Sequence, residues 1–376
     1  MKKKKICLFI GIILLVGLCI IAVKINLSEI VRYKVEDLMT ETMEITYGQK
    51  DSKYGKAVVS PDRKQLAFCN GTEEFFVKDL STGTITTYPT QERVFHVAYN
   101  SDGTYLVAGK NMLQIKTGEV KVLPIAVNPG ELVAFSSNGE ILAVVNKERK
   151  LDTMQSFVEI WNLKTGQLIQ KVTKNQYLIQ QMALSPDGRY LAVAGFGIDV
   201  WDIKSGKCIK TLDSKLTPWD NTVPYPDDYN AITYSPDGKY IAAVMNSLYV
   251  NKEAESEIIK NLVYNKQSNK EVRKEAIEIW NMEQGSLFKM LKLDPSEHVE
   301  RLQYSPDGQY LASGKELGKE TNMIRDAVWL WDVNRGEVVK KLTQFPEDSL
   351  VELDYSADGN YVSASGHYYT KIWKIK

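Results

Sequence analysis

One four-residue pattern returns seven times along the chain and limits its possible folds more than any other feature. It reads Ser60-Pro61-Asp62-Arg63, Asn100-Ser101-Asp102-Gly103, Ser136-Ser137-Asn138-Gly139, Ser185-Pro186-Asp187-Gly188, Ser235-Pro236-Asp237-Gly238, Ser305-Pro306-Asp307-Gly308 and Ser356-Ala357-Asp358-Gly359. This is β-turn chemistry. Pro presets φ at the second position, Asp bonds the backbone just ahead of it, and Gly takes the left-handed conformation that closes the turn. Arg63 stands where the other six copies have Gly, which predicts a distorted first turn.

The flanks of each turn carry strand signals. Ahead of it, pairs such as Val97/Tyr99, Met182/Leu184 and Leu302/Tyr304 place apolar side chains on one face at period two. Behind it comes a short apolar run rich in small residues, such as Leu191-Ala192-Val193-Ala194, suited to burial on both faces. A third strand follows, marked by Trp161, Trp201, Trp280, Trp331 and Trp373, and then a turn such as Lys204-Ser205-Gly206 leads to an outer strand. Four strands repeated seven times, at about 48 residues per repeat, predict an all-β, seven-bladed propeller of four-stranded blades.

These Ser-Pro-Asp-Gly turns and Trp-Asp-like third strands resemble those of WD-repeat propellers, over about residues 41–376. The resemblance is to a divergent, bacterial-type form. The Gly-His that usually precedes the first strand of a WD repeat is absent, and His96, His298 and His367 stand at other offsets. The last repeat stops at Ile372-Trp373-Lys374-Ile375 without a fourth strand. Residues 40–47, with Met43 and Ile45 alternating, are expected to supply it and so close the ring.

The propeller is expected to be preceded by one transmembrane helix. Lys2 to Lys5 are followed by Ile6 to Val23, 18 residues without charge. As a helix this run is roughly 27 Å long, enough to cross a hydrocarbon core. It reads as an uncleaved signal anchor over 1–24, with a cleaved signal or a lipid anchor at Cys19 as alternatives. The lysine bias places the N-terminus in the cytoplasm and the bulk outside. Near-helical apolar spacing over 25–39 predicts a short helical stalk, and 40–376 is then the propeller. The chain balances 47 Lys and Arg against 47 Asp and Glu, and five of those bases lie in the first 24 residues. The exported part is therefore mildly acidic, which excludes a nucleic-acid binder working by bulk charge. Cys69 and Cys208 lie too far apart in the repeat scheme to pair.

The connections are unequal. In an up-down blade, the first–second and third–fourth turns share one face, and here they are short. The long insertions, near 146–157, 213–229, 245–276 and 315–327, all belong to the opposite face. Long loops on a rigid scaffold often carry function. Trp219, Asp220, Tyr225, Asp228 and Tyr229 from one insertion, with Ile258 and Tyr264 from another, are the candidate partner-binding residues. The expected role is a membrane-anchored, non-enzymatic scaffold that binds another protein outside the cytoplasm. The alternative is a small-ligand sensor or enzyme using the central channel. That reading needs polar residues converging at the channel mouth, and no such constellation is visible in one dimension. No His-Glu-x-x-His, Gly-x-Ser-x-Gly or complete dinucleotide loop occurs, and with three His a His-ligated metal site is not expected. No catalytic residue, cofactor or nucleic-acid partner is expected.

Overall fold

All seven tetrads can be followed through their aspartate or glycine, and their hydrogen bonds repeat. The glycine N–H donates to the serine carbonyl at 2.9 Å in Ser185-Gly188, Ser235-Gly238 and Ser305-Gly308. The serine hydroxyl donates to the aspartate at 2.6 Å in the same three turns. The aspartate also accepts the N–H of the residue after the glycine. A computed structural model gives these features for residues 42–46, 56–100, 102–124, 133–136, 139–150, 153–173, 179–195, 197–212, 228–247, 274–293, 299–315, 326–343, 350–367 and 369–375.

The first turn is not distorted. Arg63 holds the left-handed conformation at φ 61°, and its N–H donates to Ser60 at 2.8 Å as the glycines do. Side-chain contacts across the ring explain how a residue with a Cβ sits there. The guanidinium is 3.2 Å from the Asp358 carboxylate and 3.9 Å from the centroid of the Tyr361 ring. Both partners belong to the last repeat.

The strands form seven four-stranded antiparallel sheets, six of them built in chain order from inner to outer strand. The inner strands are Lys56–Val59, Val97–Tyr99, Val133–Phe135, Gln181–Leu184, Asp228–Tyr234, Val299–Tyr304 and Glu352–Tyr355, for blades one to seven. Inner strands of neighbouring blades pack together, and the first meets the last. Thr42–Thr46 pairs antiparallel with Tyr369–Lys374, Thr42 opposite Trp373, and makes the outermost strand of blade seven. On this closing strand Ile45 is buried and Met43 exposed.

The core lies in the seams. Buried apolar side chains of the described residues divide into seven clusters, each joining two successive blades. Ala192, Ala194 and Val200 of blade four meet Ile232 and Tyr234 of blade five, for example. Ile45 and Ile372 of blade seven meet Ala57, Leu66 and Phe68 of blade one. Small residues on the second strands let one sheet lie close on the next.

A further regularity appears at the rim. In blades three to six the ladder between third and fourth strands slips at the tryptophan. One outer-strand residue is left over each time: Ile169, Ile209, Phe288 and Val339. These four are among the exposed large apolar side chains. Such bulges twist an outer strand away from flat pairing. The next residue then reaches forward in two of these blades. Lys210 donates to the carbonyls of Met282 and Glu283, and Lys289 to those of Val333 and Asn334. An outer strand thus holds the third–fourth turn of the following blade.

One insertion proves to be sheet. Residues near 146–157 continue the pairing of Ile141–Lys150 with Thr153–Asn162, out to Lys150 opposite Thr153. The region expected as a long loop is an extended hairpin, because both flanks keep pairing past the blade edge. The segments 1–24 and 25–39 lie outside the described residues, as does the run Ile6 to Val23. Among the described residues no helix is long and apolar enough to cross a membrane.

Candidate functional site: the channel mouth and its face

Inner strands run towards the tetrad turns, so their first residues mark the opposite face, the one with the long connections. Counting back from the tetrad serine or its equivalent, the second and fourth residues point into the central channel, as period two requires. The second positions are Val58, Ala98, Ala134, Ala183, Thr233, Gln303 and Asp354, and all line one cavity of about 800 Å³. The described fourth positions, nearer the mouth, line it too: Lys56, His96, Gln181, Ala231, Arg301 and Glu352.

Among the described residues, charge in the channel is confined to one sector. Blades six, seven, one and two contribute Arg301, Glu352, Lys56 and His96. The wall of blades three to five is small or neutral. The Lys56 ammonium lies 2.9 Å from Glu352. It also lies 2.9 Å from Nδ1 and 3.1 Å from Nε2 of His96. Burial holds the His96 pKa well below its ordinary value, and the charges of Lys56 and Arg301 push it the same way. The ring is therefore neutral, and one of its nitrogens accepts from the ammonium. Burial, with Glu352 alongside, raises the Asp354 carboxyl well above the usual carboxylate range, against the pull of Lys56.

Two inner strands bulge near this mouth, between Tyr229 and Ala231 and between Val299 and Arg301. The shifted residues stitch blades together. Asn230 donates to the Val299 carbonyl at 3.2 Å. The Arg301 Nε donates to the Val351 carbonyl at 2.7 Å, and its Nη1 to the Glu300 carbonyl at 2.8 Å.

The candidate residues read from the sequence fare unequally. Trp219, Asp220, Tyr225, Ile258 and Tyr264 lie outside the described residues. Asp228 opens an inner strand opposite Asn246. Tyr229, expected on a loop, is instead fully buried in that strand. Its hydroxyl donates to Glu278 at 2.8 Å, and the Trp280 indole donates to the same oxygen at 3.1 Å. A side chain without exposed surface is not a partner anchor; it serves the blade's interior. Cys69 and Cys208 are free thiols. Among the described residues no group of three or more His, Cys, Asp or Glu could hold a metal.

The same arrangement recurs elsewhere. Over 89% of this chain and 91% of its own length, a chain from the crystal structure of a mitotic checkpoint complex superposes with a TM-score of 0.61 at 14% identity. Human WD repeat-containing protein 36 is 26% identical over 175 residues, 43% of this chain and 20% of its own length. The chain is a WD-like β-propeller. Pre-mRNA-processing factor 19 homolog 2 of Arabidopsis thaliana is 24% identical over 184 residues, 48% of this chain and 30% of its own. Ribosome assembly protein 4 of Saccharomyces cerevisiae is 44% identical over 56 residues, 14% of this chain and 11% of its own. This WD-like propeller thus spans less than a third of the length of these curated relatives. No protein-family model matches the chain.

Proposed function

We propose that this chain is a non-enzymatic interaction scaffold that binds another protein through its long-connection face. The propeller is held at a membrane by Ile6 to Val23, on the extracytoplasmic side. The observation that carries the reading is the inequality of the two faces. One is sealed by short, internally hydrogen-bonded turns. The other carries the connections 213–227, 248–273 and 316–325 between described strand ends. A rigid ring with variable loops on one face is suited to holding a partner. The likeness to WD-repeat proteins supports a protein as that partner. The N-terminal run of 18 uncharged residues after four lysines supports the anchor.

The test is affinity isolation of the full-length chain from gently crosslinked native membranes. A variant with 213–227 and 248–273 replaced by short Gly-containing turns is run beside it. The same protein enriched by the full chain and lost with the loops upholds the reading. A partner indifferent to both replacements removes the face from consideration. Protease protection of the propeller in sealed vesicles tests its side: cleavage by protease added on the cytoplasmic side would overturn the proposed topology.

A further inference from the structure

The charged sector of the channel holds more polar capacity than its stitching uses. Lys56 and Glu352 neutralise one another across the seam between blades one and seven. Arg301 differs. Its guanidinium donates to two neutral carbonyls, and among the described residues it has no carboxylate within ion-pair reach. A half-buried guanidinium held by neutral acceptors keeps N–H groups and a full positive charge for a further acceptor.

We propose that the channel mouth binds a small monocarboxylate, its carboxylate on Arg301 and its apolar body against the alanine wall. Charge count argues for a single negative charge. One cation is unmatched, and the Glu352 carboxylate in the same sector repels a dianion. Burial beside Glu352 holds the Asp354 carboxyl well above the usual carboxylate range, which lessens a second repulsion. Shape argues for the hydrocarbon body. Ala134 and Ala183, with the neutral Gln181 and Thr233, make the far side of the cavity small and uncharged. Its volume of about 800 Å³ lies within the range of small-molecule sites. Planar guanidinium geometry matches a carboxylate better than it matches a point acceptor.

The experiment is calorimetric titration of the full-length chain in detergent with hexanoate, its uncharged isostere hexanamide, acetate and inorganic phosphate. Hexanoate is expected to bind at least about tenfold tighter than hexanamide, since an unmade charged hydrogen bond costs on that order. Hexanoate is also expected to outbind acetate. Arg301→Gln lowers hexanoate affinity by about tenfold or more, and Arg301→Lys restores part of it. Ala183→Leu leaves every charge in place and weakens hexanoate while sparing acetate. Equal binding of hexanoate and hexanamide, no binding of either at millimolar concentration, or preference for phosphate would each overturn the proposal. The wild-type comparison and Ala183→Leu keep the test decisive even if an Arg301 variant does not fold. Partner capture does not enter any of these readings, so the two functions stand or fall separately.

Discussion

Arg63 shows how one residue's environment can replace another residue's intrinsic freedom. Its positive φ costs about 1 kcal/mol relative to Gly. Against this stand an exposed ion pair to Asp358 and a guanidinium stacked on Tyr361, each contributing roughly 0.5 to 1 kcal/mol. Arg63→Gly is therefore expected to be close to neutral, because it relieves strain and loses contacts together. Arg63→Ala keeps the strain and loses the contacts, and should cost about 1–2 kcal/mol in urea unfolding. Equal effects of the two would refute the trade. Tyr229 carries a second prediction at this scale. Tyr229→Phe removes a donor from the fully buried Glu278 carboxylate and should cost about 1–3 kcal/mol. Its effect on partner capture should be nil, which distinguishes an interior residue from the surface anchor its sequence neighbourhood implied.

At the scale of the strand, period two was readable from sequence because every inner strand alternates ahead of a turn with known chemistry. What could not be read was the extra residue in the outer strands. Leu168-Ile169, Cys208-Ile209 and Leu287-Phe288 look like ordinary strand pairs, and only the pairing partner shows that one of each is bulged. The hairpin over 141–162 was missed for a related reason: its polar tip has loop composition, but its backbone still pairs. The bulge delivers Lys289 to the Val333 and Asn334 carbonyls of the next blade. Lys289→Met should therefore lower unfolding free energy by about 1 kcal/mol, whereas the same change at exposed Lys207 should do nothing measurable. The turns also set an acid limit. Bonds from Ser81 and Thr82 pull Asp79 down to about 2. Burial opposes the shift at Asp187 and Asp237, but bonds from Ser185 and Ser235 and from neighbouring amides outweigh it. Folded values lie below unfolded ones, so the stabilisation is fully present above about pH 4 and is lost as pH falls towards 2. Urea unfolding at neutral pH and near pH 2.5 should show the loss, and Asp79→Asn should shrink it.

At the scale of the whole ring, blade number and turn positions were legible, while the polar mouth was not. Lys56, His96, Arg301 and Glu352 are scattered over some three hundred residues. One count does gather them: each stands four places before a tetrad serine or its equivalent. The signal was present as a register, not as a motif, and needed the channel to give it meaning. Closure is the other global property. Ile45 sits in the cluster that joins the last blade to the first. Ile45→Ala should cost about 2–4 kcal/mol in urea unfolding, and Met43→Ala, at an exposed position, far less. Similar costs for the two would count against the closing strand's role. The pairing of Thr42 with Trp373 also has a consequence in time. The ribosome makes Thr42–Thr46 ahead of all seven blades and its partner strand Tyr369–Lys374 at the end of the seventh, so the closing strand must wait while the whole ring is synthesised. Earlier blades can collapse on one another as they emerge, but the circle shuts only after the seventh blade is made. Its last folding step therefore has a long loop to gather before its two ends can meet.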